Sequence, residues 1–391
     1  MEKGLTIKYS SKIEKLPPYP FAVIDEMKSK ALQEGVDLID LSIGDPDLPT
    51  PQPIVDAMKE AVDNPANHHY PSYAGMLTFR EAVAAWYKRR FNGTLNPGAE
   101  VQSLIGSKEG IAHIPLAFIN SGDIVLGTSP GYPVYQVSAI LAGGEAYPLP
   151  LLEENHYFPD LKAIPEDILR RSRLLFINYP NNPTSALATA EFFNEVVEFA
   201  HKHNIIVCHD AAYTELYFDN QKPLSFLQID GAKEVGVEFH SLSKTYNMTG
   251  WRIGFVCGHA KVLQGLGRVK TNVDSGVFQA VQEAGIKALS LDESMLQSIR
   301  HTFEERRDVF YQGLTELGLK ANKPLATFYL WATVPDRQRS VDFVGRLLKD
   351  AGILTTPGNG FGQHGEGYVR FTFTQPVERL KEALDRLKRV L

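Results

Sequence analysis

The 391-residue sequence predicts an α/β fold, a large domain with a mainly parallel sheet covered by helices plus a smaller α+β domain. Three observations predict it. From about Val101 to Cys257 short apolar runs alternate with helix-like segments, the pattern of parallel strands joined by crossover helices. The runs are apolar throughout instead of alternating with polar residues, as expected of strands covered on both faces. After Asp292 the pattern changes to a long charged helix followed by further strands and helices, and a chain of this length exceeds the roughly 250–300 residues at which one core stops growing.

In chain order, Leu38–Ile43 is a first strand candidate. Val101–Ile105, Ile124–Leu126, Leu174–Asn178, Ile205–Cys208, Val237–His240 and Ile253–Cys257 then read as the strands of the large sheet. Between them lie helical segments at Glu109–Asn120, Val134–Leu141 and Glu191–His203, the last with Phe192, Val196, Val197 and Ala200 on one face. The second domain follows as a helix to about Leu317, a strand at Thr327–Val334, a helix at Val341–Ala351, a strand at Tyr368–Thr374 and a helix after Pro376. The expected division is residues 46–289 for the large domain, with 1–45 and 290–391 forming the small one. In the last strand alternation puts Val369, Phe371 and Phe373 on the core face and turns Arg370 the other way, where an arginine is ordinarily solvated.

Composition narrows the function. The net charge is −6 and the basic residues are scattered, so no nucleic-acid surface is expected. Cys208 and Cys257 sit in apolar runs and read as buried thiols in a reducing compartment. Met1–Ser11 is polar and no segment approaches about 18 uninterrupted apolar residues, so a cytoplasmic protein without a membrane anchor is expected. No Walker-type loop, dinucleotide fingerprint or metal-ligand set is read from the chain.

In open parallel sheets ligands bind beyond the carboxyl ends of the strands, and three such ends are loaded with polar residues. Leu174–Asn178 runs into Tyr179-Pro180-Asn181-Asn182-Pro183-Thr184, Ile205–Cys208 into His209-Asp210-Ala211-Ala212-Tyr213, and Val237–His240 into Ser241-Leu242-Ser243-Lys244. Thr249-Gly250-Trp251-Arg252 follows. Hydroxyls and an arginine fork suit a phosphate, which leaves the lysine amine for covalent work. Gly106-Ser107-Lys108-Glu109-Gly110 opens a helix whose amides could take an anion. Each residue also has a plain reading: Lys244 as a surface lysine, Asp210 as a helix cap, Asn182 and Tyr213 as turn and core residues, and Gly106-Ser107 as an ordinary helix start. The combination favours the chemical reading.

Together these segments resemble the fold-type I, class I/II aminotransferases, from about Leu16 to the carboxyl terminus. Leu41–Asp47, Tyr70–Gly75, Gly106–Gly110, Tyr132-Pro133-Val134-Tyr135 and Asn272–Gly276 look like the branch acting on LL-diaminopimelate. The resemblance implies pyridoxal 5'-phosphate as cofactor, with Lys244 bonded to it, Asp210 pairing with its pyridine nitrogen, and Asn182 and Tyr213 meeting its 3'-oxygen. It implies Ser107, Lys108, Ser241, Ser243 and Arg252 around the phosphate, Tyr132 stacked on the ring, and Arg370 on the substrate α-carboxylate. Tyr19, Gly44, Lys108, Tyr132 and Asn182 would lie near the substrate, while Tyr70 and Asn272 would reach cofactor and substrate from a partner subunit in a homodimer with shared sites. Catalysis would fall to Lys244, Asp210 and Tyr213.

The implied reaction is transamination between LL-2,6-diaminopimelate and 2-oxoglutarate, giving or consuming tetrahydrodipicolinate and glutamate, a step of lysine biosynthesis. Rivals are an aspartate-like or aromatic aminotransferase and a carbon–sulfur lyase on the same cofactor. An effector-binding module of a transcription regulator is also weighed and set aside, because the residues before Leu16 leave no room for a DNA-binding domain. Two positions depart from the family pattern. Asn182-Pro183-Thr184 is followed by Ser185 where glycine is usual, a change expected to affect only the turn, and Tyr70–Gly75 lacks the glutamate that reads the far end of the substrate. Tyr19, Tyr73 and Asn272 are expected to take over that reading.

Overall fold

The computed structural model describes residue 5 and residues 7–391. Residues 1–4 and 6, part of the expected small domain, lie outside the described residues. The strands are β1 (Ile39–Asp40), β2 (Val101–Leu104), β3 (Ile124–Ser129), β4 (Glu145–Pro150), β5 (Ser172–Asn178), β6 (Ile206–Asp210), β7 (Gly236–Ser241), β8 (Gly254–Gly258), β9 (Tyr329–Thr333), β10 (Ile353–Leu354), β11 (Thr356–Pro357) and β12 (Tyr368–Thr372).

Seven of them form one sheet in the order β2-β8-β7-β6-β5-β3-β4. All its pairings are parallel except those of β8, which runs against both β2 and β7. The apolar runs are explained by the two faces. Leu175 and Ile177 of β5 enter one hydrophobic cluster, with Phe192, Val196 and Val207. Leu174 and Phe176, one residue out of step, enter another with Ile111, Val237 and Phe239. Each strand residue therefore meets a helix on its own side. Truncating the fully buried Phe176 to alanine should cost about 3–5 kcal/mol.

The covering helices start and stop for local reasons. In Ala190–His203 the Thr189 side chain accepts from the Phe192 amide, His201, Lys202 and His203 occupy the last turn, and Asn204 closes the helix in the left-handed region. Strand β4 has no counterpart in the sequence reading. It carries Pro148 and Pro150, which are tolerated because it lies at the sheet edge.

A three-stranded sheet, β11-β12-β9, and the β1-β10 pair make a second layered unit with the helices Glu293–Glu316, Ser340–Ala351 and Val377–Leu387. Its core includes Phe303, Phe328, Leu347, Val369, Phe371 and Phe373. Tyr213, Leu216 and Phe218, from the chain after β6, are packed into the same core, so the two units share a hydrophobic seam. The long helix is tied to the segment before the large sheet by Arg306, which forks onto Asp47 at 2.6 and 2.9 Å. No helix among the described residues is long and apolar enough to cross a membrane.

Candidate active site

Parallel register brings the loaded strand ends together, with Asn178 opposite Asp210 and Asp210 opposite Phe239. Beyond them lies a cavity of about 300 Å³. Its lining includes Tyr19, Gly44, Ser107, Lys108, Tyr132, Asn182, Asp210, Tyr213, Ser241, Ser243, Lys244, Arg252 and Arg370. These thirteen were expected there. Three others, Tyr70, Asn272 and the distal-end candidate Tyr73, do not line it. Tyr70 is 89% exposed, and Asn272 is an exposed residue at the end of helix Ala260–Val273.

Lys244 is half-buried at the floor of this cavity. Its Nζ donates to the Gly44 carbonyl at 2.5 Å. Burial lowers its pKa from 10.5 to about 8, helped by the charges of Arg370 and Arg252 and opposed by Asp45. A substantial fraction is therefore neutral near pH 7.5.

Asp210 is held from two sides. Its Oδ2 accepts from the Tyr135 hydroxyl at 2.8 Å and its carbonyl accepts from Asn178 Nδ2 at 2.8 Å. Its Oδ1 is buried and has no partner. Burial raises the carboxyl above its ordinary value, and the Tyr135 hydrogen bond and the neighbouring His209 oppose this. A cation placed against Oδ1 would complete the ionised form.

At the other end of the cavity, Gly106 lies at φ +74° before helix Ser107–Phe118. A Cβ on Gly106 would come within 2.1 Å of Arg252 Nη2, so only glycine lets the guanidinium lie across this helix start. Gly254 at the head of antiparallel β8 permits a similarly close approach, its Cβ position being 3.0 Å from the Ser107 amide. Ser243 Oγ is buried without a partner. Hydroxyls, a helix amino end and an arginine fork make a site for a dianion. Lys270, fully buried, anchors this end by donating to Glu109 at 2.8 Å and Asp274 at 3.2 Å, which connects the helix start to the Asn272 segment.

Alternation turns Arg370 away from the core face of β12, and that side is not open to solvent as is ordinary for a strand arginine: Arg370 is 1% exposed. The outer face of β12 is covered by the segment after β1. Arg370 Nη2 donates to the Ser42 carbonyl and Nη1 to Asn182 Oδ1 at 2.9 Å. Its guanidinium carbon lies 4.3 Å from the Tyr329 ring centre and 4.7 Å from that of Phe361. Nε is left without a partner. Tyr213 and Tyr329 share a hydrogen bond of 2.8 Å, and the Lys108 amine reaches the Tyr19 hydroxyl at 3.2 Å.

Three contributors were not read from the sequence: Tyr135, Asn178 and Tyr329. Tyr135 stands three positions from Tyr132 at the start of helix Val134–Ala142, a helical spacing that could have signalled it. Tyr329 carries no local signal. Ser185, expected to affect only its turn, does more. It lies at φ +62°, and its hydroxyl meets Thr327 Oγ1 at 2.7 Å and the Tyr329 carbonyl at 2.8 Å.

The family model described as aminotransferase class I and II matches residues 36–387. A protein of Aquifex aeolicus (strain VF5) named LL-diaminopimelate aminotransferase is 55% identical over 381 residues, 97% of this chain and 98% of its own length. One of the same name from Syntrophobacter fumaroxidans is 53% identical over 381 residues, again 97% and 98% of the two chains. Among solved structures, apo-BacF of Bacillus subtilis superposes with a TM-score of 0.95 at 40% identity, covering 98% of both chains.

Proposed function

The chain belongs to the class I and II aminotransferase family, and on that premise we propose that it moves an amino group between LL-2,6-diaminopimelate and 2-oxoglutarate with pyridoxal 5'-phosphate in the cavity at Lys244. The keto product would cyclise to tetrahydrodipicolinate, and glutamate would be the second product. The observation that carries the reading is one cavity joining a lysine amine of pKa about 8, an unpartnered buried Asp210 oxygen and an anion cradle. The names of the relatives support the substrate.

The residues fit the cofactor. Asp210 Oδ1 awaits a cationic N–H donor, as a protonated pyridine nitrogen would provide, and Ser243 Oγ a phosphate oxygen. Ser107, Lys108, Ser241 and Arg252 would hold the same phosphate, Tyr132 would cover the ring, and Asn182 and Tyr213 would meet its 3'-oxygen. When bound, the cofactor supplies an aldehyde that condenses with amines and a ring that draws electrons from the substrate Cα bond.

The protein does the remainder. Lys244 would hold the cofactor and, once freed by the incoming amine, would take the proton from the substrate Cα and deliver it to the carbon on the far side of the amino nitrogen, two bonds away. Its lowered pKa matches that double duty. Asp210 would keep the ring nitrogen charged, with Tyr135 fixing its other oxygen. Tyr213, whose pKa burial raises, would stay a neutral phenol and donate. Arg370 would grip the α-carboxylate, its preformed bonds to Asn182 and Ser42 reducing the entropy cost of binding.

Tyr70 and Asn272 would serve the neighbouring subunit of a homodimer. Their segments abut, Gln279 Nε2 donating to the His69 carbonyl at 3.3 Å. Val273, Leu77, Tyr73 and Phe278 nearby are 57%, 51%, 48% and 41% exposed, an apolar surface of the kind a partner covers. An inactive Lys244→Ala chain mixed with an inactive Tyr70 variant should then regain activity. The buried thiols of Cys208 and Cys257 support a reducing, cytoplasmic setting, and residues 46–289 as the large domain remain the division we favour.

A donor panel assayed with 2-oxoglutarate tests the substrate. Loss of the distal hydrogen bonds leaves polar groups unpaired, so kcat/KM for LL-diaminopimelate should exceed that for aspartate, tyrosine or lysine by at least about a hundredfold, roughly 2.7 kcal/mol. An aspartate or aromatic donor reacting equally well would reassign the substrate, and keto-acid release without amino transfer would indicate elimination.

A further inference from the structure

A second cavity, of about 360 Å³, lies away from the Lys244 site where the two layered units meet. One wall is Glu153 and Tyr157, from the chain between β4 and β5. The other is Asn322, Trp331 and Tyr368, and exposed Lys320 also lines it. The Trp331 and Tyr368 rings are stacked, their centres 5.1 Å apart and their planes 9° apart. Tyr157 and Trp331 are 7% and 4% exposed, so the aromatic wall is rigid.

One of its polar groups is a carboxylate with no cationic partner. The Glu153 carboxylate makes no ion pair among the described residues, and its hydrogen bonds from Asn322 and Tyr368 are long, at 3.3 and 3.5 Å. Aromatic faces beside an unpaired carboxylate attract an organic cation, through the ring quadrupoles and through charge. The lysine on the same cavity suits a carboxylate at the other end of the ligand. The space matches a small molecule with both groups.

We propose that this cavity is a binding site for an amino acid bearing a side-chain ammonium, the ammonium lying against Glu153, Tyr368 and Trp331 and the carboxylate toward Lys320. Such a ligand bridges the two units. It also touches the wall behind the site described above, because Trp331 of β9 is paired with Arg370 of β12 and packs on Phe361, their ring centres 5.9 Å apart.

The test is calorimetric titration of the holoenzyme with L-lysine and with norleucine, which lacks the side-chain amine. Lysine should bind saturably and norleucine at least about tenfold more weakly. Glu153→Gln, at an exposed position, should weaken lysine binding by at least about tenfold and leave turnover unchanged. Tryptophan fluorescence should respond to lysine in the native chain and not in Trp331→Phe. The proposal is overturned if lysine does not saturate, if norleucine binds equally, or if Glu153→Gln binds lysine as the native chain does. Binding lost in Arg370→Lys and kept in Glu153→Gln would place the lysine in the Lys244 cavity and also overturn it.

Discussion

The pKa of Lys244 can be measured through the reaction it controls. Only a neutral amine attacks an aldehyde, so capture of pyridoxal phosphate by the cofactor-free protein should follow the neutral fraction. With the pKa lowered from 10.5 to about 8, roughly a quarter of the amine is neutral at pH 7.5, against roughly one part in a thousand for an ordinary lysine. Capture should therefore be about two hundredfold faster than on a surface lysine of equal intrinsic reactivity. The sign is fixed by which form reacts: the rate rises with pH, reaches half its maximum near pH 8 and levels off by about pH 9.5. Asp45 raises this pKa and Arg370 lowers it, so Asp45→Asn should move the midpoint down and Arg370→Met should move it up. Stopped-flow absorbance in the visible range on mixing with pyridoxal phosphate measures the rate directly. A midpoint near 10.5, or the opposite order in the two variants, would refute the reasoning.

Tyr135→Phe removes the donor to Asp210 Oδ2, and a lost hydrogen bond to a buried charge of about 1.5–3 kcal/mol should lower kcat roughly 10- to 150-fold with cofactor retained; unchanged kcat would show that Asp210 needs no such support. Arg370→Lys keeps the charge and loses the planar fork that holds Asn182 and Ser42, so kcat/KM should fall at least about a hundredfold for every donor, and a loss confined to one donor would contradict an α-carboxylate role. Gly106→Ala puts a Cβ into the Arg252 guanidinium at a left-handed φ, and equilibrium dialysis should show cofactor affinity weakened by about tenfold or more. Lys244→Ala should abolish turnover by well over a thousandfold, and near-normal activity would remove the basis of the proposed function.

Much of the site was legible because its residues follow apolar strands at fixed short offsets. Asn182, Asp210, Ser241 and Lys244 each stand within four residues of a strand end, and a parallel sheet aligns such ends whatever the strand order. The helix Ala190–His203 was legible for a similar reason, since its cap, charges and apolar stripe all lie within one segment. Strand β4 escaped because its prolines erase the local signal, and only an edge position makes them acceptable.

Periodicity and neighbours a few residues away specify the other six strands of the large sheet, their hydrophobic faces and the chemical inventory at their ends, but not the edge strand β4 or the two-residue strands β10 and β11. Tertiary structure alone decided which groups support which. Tyr135 reaches Asp210 across 75 residues, Tyr329 reaches Tyr213 across 116, and Arg370 reaches Asn182 across 188. Alternation turned Arg370 away from its own core, but not even a clean strand pattern tells that the chain after β1 covers that face and buries the charge. The insertion of β8 against its neighbours, which carries Arg252 to the start of helix Ser107–Phe118, is equally invisible locally. Burial, and with it the pKa values of Lys244 and Asp210, is a property of what packs around a group, and a one-dimensional pattern specifies only the surfaces available for that packing.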